Sequence, residues 1–187
     1  LCNRLRQIFF CGSYGDPIMH PDFLDILRDF RQKCPTLWLY IHTNGGAHNT
    51  EYWKSLANII GGYGQIDFNI DGLEDTNALY RRNTDFQKII NNASTYINAG
   101  GRAVWNYIVF KHNQHQVEQA RASSVKLGFK DFKYRATGRF LNHYTMTEMD
   151  NWPVSGVDYV LEPPSKEEYR NRSMQYLPEL KRKYINI

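Results

Sequence analysis

The sequence predicts an α/β fold, a partial parallel barrel assembled from βα units. Three observations predict it. Short apolar runs bounded by turn residues alternate with amphipathic stretches along most of the chain, the pattern of a parallel sheet covered by helices. The units repeat at roughly thirty residues, enough for a strand, a helix and their connections. Several strands also carry a polar row on one face, whereas a strand covered by helices on both sides of an open sheet is apolar on both. An edge strand with one face in solvent explains any single row. Several rows together favour an interior that opens to water or ligand.

The elements follow in order. "QIFFCG" is the first strand, and "HPDFLDILRDFRQK" then sets Phe23, Leu27 and Phe30 at helical spacing, with Pro21 at the first helical position. "TLWLYIHTNGG" is the second strand and its exit turn; Tyr40, His42 and Asn44 share one face. "NTEYWKSLANIIGG" aligns Trp53, Leu56, Ala57 and Ile60, with an amide or hydroxyl cap before it and glycines after it. In the third strand, "QIDFNIDG", Ile66, Phe68 and Ile70 point one way and Asp67, Asn69 and Asp71 the other. "DFQKIINNASTYINAGG" carries a stripe of Phe86, Ile89, Ile90, Ala93 and Ile97. Asn106 interrupts the otherwise apolar fourth strand, "RAVWNYIVF". "NQHQVEQARASSVKLGF" and "DFKYRATG" supply another helix and a fifth, shorter strand. Beyond Gly138 the periodicity fades. The chain thus divides into a core, residues 1–139, and an irregular extension or lid, residues 140–187, with a short helix around Lys166 to Arg172.

Bulk composition narrows the function classes. A chain of 187 residues with 42% hydrophobic and 22% charged content suits one principal globular domain and excludes extensive disorder. The net charge of +4 is spread thinly, with "LKRK" the one tight cluster, so nucleic acid is not expected as a partner. A weaker reading of that kind would use Lys111, Tyr134, Arg135 and Arg139, and would show a steep loss of affinity with salt. Cys2, Cys11 and Cys34 form no close pair, and the histidines fall into no zinc pattern, so no metal site is expected within the chain. No apolar run is long enough to span a bilayer, and the N-terminal residues lack the layout of a secretory signal. The chain reads as cytoplasmic, in reducing surroundings.

Chemistry concentrates where the strands end, because loop amides and helix N-termini converge there on one crevice. In "CGSYGDP", Gly12 and Gly15 allow close approach of the main chain to a ligand, and Asp16 adds a carboxylate. That set suits a free amino-acid moiety, which presents an ammonium and a carboxylate together. A tight turn with Asp16 capping the next helix accounts for the same residues without a ligand. "HTNGG" places Asn44 at the same level and is equally a plain strand exit. "NIDGLEDTNALYRR" brings Asn69 and Asp71 to the third strand end and Arg81 or Arg82 to the opening of the next helical region, where an arginine can clamp a carboxylate. A salt bridge from that arginine to Asp71, Glu74 or Asp75 is the structural alternative.

Taken together, "FCGSYGDPIMHPDF", "LYIHTNGG", "FNIDGLEDTNALYRRNTDFQKIINNASTYINAGG" and "NYIVFKHNQHQVEQARASSVKLGF" resemble consecutive segments of a radical S-adenosylmethionine enzyme core. The similarity runs from about Arg6 to Arg139 and is nearest to the branch with a C-terminal auxiliary-cluster domain of the SPASM or twitch type. It implies a partial (β/α)6 TIM-like barrel that holds S-adenosyl-L-methionine and a 4Fe-4S cluster. There, reductive cleavage of the sulfonium yields a 5'-deoxyadenosyl radical that abstracts a hydrogen atom from the substrate. The resemblance places Gly15 and Asp16 at the turn that meets the methionine ammonium, Asn44 on the adjacent strand end, Asn69 at the ribose, Arg81 near the methionine carboxylate, and Asn106 at the ribose or carboxylate; Gly12 and Asp71 join them as candidate cofactor-binding residues.

The same resemblance implies a peptide or other macromolecular substrate and an electron donor such as flavodoxin or ferredoxin. Its C-x3-C-x2-C cluster loop is absent from these residues, so the first βα unit is expected to be missing and this truncated form to be inactive. A cluster-free barrel that holds a nucleotide-like ligand or a partner is the alternative function.

Overall fold

The computed structural model describes residues 4–12, 15–137, 152–154, 157–159, 161–170 and 175–176. Five parallel strands form its centre: β1 (Gln7–Phe10), β2 (Trp38–Thr43), β3 (Gly64–Asn69), β4 (Ala103–Val109) and β5 (Asp131–Ala136). They pair in chain order. Between them lie α1 (Phe23–Lys33), α2 (Thr50–Ile60), the single turn α3 (Asn77–Tyr80), α4 (Phe86–Asn98) and α5 (Val117–Lys126). The expected α/β series is therefore present. The hairpin β6 (Trp152–Val154) and β7 (Val157–Tyr159) forms a second small sheet.

The period-two alternation decides which face the helices cover. Leu39, Ile41, Ile66, Phe68, Ile70, Trp105 and Phe132 are buried with Leu27, Trp53, Leu56, Ile60, Ile89 and Ala93 of the helices in one continuous core. The other face carries His42, Asp67, Asn69, Asn106 and Lys133, related strand to strand by the registers His42↔Asp67, Asn69↔Asn106 and Asn106↔Lys133. This face is the predicted polar interior.

Four details differ from expectation. Helix α1 begins at Phe23, and the proline that opens a helical turn is Pro17, in the 3-10 turn Pro17–Met19, rather than Pro21. The sixth strand of the sheet, β8 (Gln175–Tyr176), is antiparallel to β5, where a further βα unit would have added a parallel strand. The short helix expected around Lys166 to Arg172 is one 3-10 turn, Glu167–Tyr169, and residues 171–172 lie outside the described residues. The boundary between residues 139 and 140 lies outside them too. Cys34 is disulfide-bonded while Cys11 is free and exposed, a bond not expected from three cysteines so far apart.

Candidate functional site

The first turn after β1 is shaped by its glycines. Gly12 has φ +63° and Gly15 φ +152°, and a Cβ on Gly12 would lie 2.5 Å from the Gly15 carbonyl oxygen, so only glycine fits. A Cβ on Gly15 would meet nothing within 4 Å among the described residues. Ser13 and Tyr14 lie outside the described residues.

Asp16 joins this turn to the next strand. Its Oδ1 accepts from the Ile18 amide at 3.3 Å, capping the 3-10 turn, while Oδ2 accepts from the Thr43 hydroxyl at 2.7 Å and the Asn44 amide at 2.8 Å. The capping role set beside the ligand reading is thus present, and three of the carboxylate's roughly four acceptor positions are occupied by protein. The Thr43 hydroxyl also accepts from the Gly45 amide at 2.9 Å, and Asn44 Oδ1 accepts from the Gly46 amide at 2.8 Å. Gly45, at φ +75°, leaves no room for a side chain, because a Cβ would approach the Phe68 ring to 2.8 Å. Asn92 of α4 donates to the carbonyls of Gly45 and Ala47. The two turns are held as one rim.

Asn69, the last residue of β3, and Asn106, in the middle of β4, stand side by side on the polar face. Asn106 Nδ2 donates to Asp67 Oδ2 at 3.1 Å and, at 3.4 Å, to Asn69 Oδ1. Asn106 is 8% exposed, and its buried Oδ1 has no hydrogen-bond partner among the described residues. A buried amide oxygen without a donor is costly, so this atom asks for a ligand or water.

Asp71 is fully buried, and both of its oxygens meet protein donors. Arg81 Nε reaches Oδ2 at 2.5 Å, and the Ile108 amide reaches Oδ1 at 2.5 Å. Burial pushes the Asp71 carboxyl above its ordinary range, opposed chiefly by the Arg81 charge. The salt bridge weighed against a ligand clamp is therefore formed, with the Arg81 guanidinium also 5.0 Å from the Tyr80 ring centre. Asn113 completes the joint by donating to the carbonyls of Asp71 at 2.7 Å and Ile108 at 2.9 Å.

Sequence reasoning missed several of these partners. Thr43 reads as an ordinary strand residue, and Asn113 as the polar start of a helix; neither carries a local signal for the distant group it binds. In the sequence Asp67 reads as one member of a polar row, yet it is a hub. Its Oδ1 accepts from Gln65 Nε2 at 2.6 Å, and Oδ2 also lies 3.5 Å from Lys133 Nζ and 3.7 Å from His42 Nε2. Among the described residues no three His, Cys, Asp or Glu side chains are grouped to hold a metal ion. No described helix is long and apolar enough to cross a membrane.

No family model matches the chain, and no curated protein matches it in sequence. Solved structures do resemble it. Streptococcus suis SuiB bound to S-adenosylmethionine superposes with a TM-score of 0.60 at 15% identity, covering 74% of this chain and 31% of SuiB. An archaeal TYW1 gives 0.54 at 12% identity, over 74% of this chain and 45% of that one. Native anSMEcpe with bound AdoMet and Cp18Cys peptide gives 0.55 at 16%, over 78% and 43%. These likenesses show a shared fold, a parallel α/β sheet of the partial-barrel kind. The chain spans less than half the length of each.

Proposed function

We propose that the rim binds S-adenosyl-L-methionine and that residues 1–139 form the cofactor-binding, substrate-facing core of a radical enzyme acting on a peptide or another macromolecule. One observation carries the proposal: the Asn106 amide oxygen, buried and without a hydrogen-bond donor among the described residues, stands on the polar face at the level of Asn69. A ribose hydroxyl is a donor of the right kind. The Gly15 turn presents main-chain groups to the methionine ammonium, and Asp16 fixes that turn against β2. Asn44 borders it. Asp71 orients the Arg81 guanidinium, whose charge favours a ligand carboxylate.

When bound and reduced, the cofactor supplies hydrogen-atom abstraction. The protein's part is to hold its amino-acid end and ribose and to exclude water. The described residues offer no ligand set for an iron-sulfur cluster. An outside reductant of the flavodoxin or ferredoxin kind belongs to the same proposal, as does inactivity of this chain by itself. The peptide assignment draws support from anSMEcpe, a neighbour with a bound peptide.

Calorimetric titration with S-adenosylmethionine tests the reading. Saturable binding is expected, weakened about tenfold in Asn106→Ala, the worth of one hydrogen bond in a buried site. Absence of saturable binding by the unaltered chain overturns the function. Equal binding by both proteins overturns the role of Asn106. Anaerobic treatment with iron and sulfide is expected to leave the chain without the visible absorption of a cluster, and a stoichiometric four-iron signal contradicts that expectation.

A further inference from the structure

Residues 161–170 form a strap that crosses from the end of β4 to β5. At its start the Glu162 carbonyl accepts from the Lys111 amide at 3.0 Å, and the two side chains pair at 2.7 Å. Gln114 grips the middle: its Nε2 donates to Ser165 Oγ at 2.8 Å, while its Oε1 accepts from the Ser165 and Lys166 amides at 3.0 Å and 3.2 Å. At the far end Tyr169 is buried edge-on against Tyr134 of β5, with ring centres 5.8 Å apart. The Lys111–Glu162 pair is exposed and contributes little by itself. Leu161 adds an apolar anchor, buried with Phe110 in a small cluster apart from the main core.

That cluster reaches the candidate site. Tyr80 packs against it, with its ring centre 4.7 Å from that of Phe110. The Arg81 guanidinium lies 5.0 Å from the same Tyr80 ring, and Arg81 Nε holds Asp71. A continuous line of contacts therefore runs from Leu161 through Phe110 and Tyr80 to Arg81. Helix α3, which carries Tyr80, is a single turn, too short to keep its shape without packing. Its start is fastened by Asn77, whose Oδ1 accepts from the Asp71 amide at 2.9 Å, and its last residue, Tyr80, leans on Phe110. Arginine is rich in rotamers, so an aromatic face against its guanidinium lowers the entropy lost when it meets a ligand.

We propose that Tyr80 is a positioning residue for Arg81, and that docking of the strap, through Leu161 and Phe110, sets the Tyr80 ring in place. The coupling rests on these contacts alone, whereas its effect on S-adenosylmethionine rests on the function proposed above. Linkage makes the effect reciprocal: whatever factor strap docking adds to ligand affinity, the ligand adds to strap docking.

Two NMR signals read the two ends separately. Exchange of the Lys111 amide with solvent reports strap docking, because that amide donates to Glu162, and exchange of the Arg81 Nε–H reports how firmly the guanidinium is held. Leu161→Ala removes the apolar anchor, and Gln114→Ala loosens the strap while leaving the buried cluster intact. Both are expected to quicken Lys111 amide exchange about tenfold, the worth of one or two lost hydrogen bonds. The Arg81 Nε–H is expected to exchange about fivefold faster in both, the low end of coupling between distinct sites. Faster Lys111 exchange with an unchanged Arg81 signal overturns the coupling, and Gln114→Ala decides this even where Leu161→Ala lowers stability. Tyr80→Leu is expected to weaken S-adenosylmethionine binding about fivefold, and Tyr80→Phe, which keeps the ring, to restore most of it. Equal binding by Tyr80→Leu and the unaltered protein overturns the positioning role. An Arg81 response to the strap without any S-adenosylmethionine binding supports the coupling and overturns the cofactor reading. Cofactor binding without that response does the reverse.

Discussion

Arg81 holds the fully buried carboxylate of Asp71 through its Nε at 2.5 Å, and this pair joins the end of β3 to α3 and to the Ile108 amide of β4. Removing one partner of a buried pair leaves an uncompensated charge, which costs more than the pair itself contributes. Asp71→Ala is therefore expected to destabilise the fold by about 3–5 kcal/mol. Asp71→Asn, which keeps an acceptor for Ile108, should cost less. Urea unfolding of both variants tests the order, and equal losses would remove the charge from the account.

The Asp16–Thr43 hydrogen bond makes a second prediction. Thr43→Val keeps the shape and burial of the side chain but removes the hydroxyl that donates to Asp16 and accepts from Gly45. The loss is expected to be about 1–2 kcal/mol. Thr43→Ser restores both bonds and should recover most of that loss, measured by the same unfolding transition.

Arg31 ties α1 to the end of α2. Its guanidinium donates to five carbonyls: Ile59, Ile60 and Tyr63 at the α2–β3 connection, and Pro35 and Leu37 before β2. These include carbonyls of the last α2 residues, which a helix leaves without internal partners. Arg31→Ala is expected to cost about 2–3 kcal/mol. A lysine presents a compact ammonium instead of a planar fork, so Arg31→Lys should recover less than half. Thermal unfolding of the two variants decides; full recovery by lysine would show that charge alone matters.

How far the sequence reveals all this depends on the range of each interaction. The polar face was legible because alternation is local: Ile66, Phe68 and Ile70 enter the core while Asp67 and Asn69 take the other side. The turn glycines were legible too, since Gly12 and Gly45 occupy backbone conformations that side chains avoid. Thr43 meets Asp16 across 27 residues, and Asp67 meets Lys133 across two strand boundaries. No local pattern encodes such partners. The antiparallel β8 consists of two paired residues, too few to carry a period. Asp71 and Arg81 both stand out in the sequence, but sequence proximity does not decide whether they face a ligand or each other.

His112 gives a prediction in pH. It follows β4, stacked on Phe110 with ring centres 5.4 Å apart, and burial, with a smaller contribution from His115, pushes its pKa down to about 4. A histidine with an ordinary value near 6.5 therefore binds its proton in the unfolded chain before it does so in the folded one. The sign follows from linkage: stability is fully present above pH 6.5 and is lost progressively as pH falls toward 4, because the unfolded state takes up more protons in that window. Discounted for partial solvent access, the loss is about 2 kcal/mol. His112→Phe keeps an aromatic ring on Phe110 and removes the titration, so its urea midpoint should vary less between pH 7 and pH 4.5 than that of the unaltered protein. Parallel pH profiles for the two proteins would place the acid sensitivity elsewhere, with the buried carboxyl groups the next to vary.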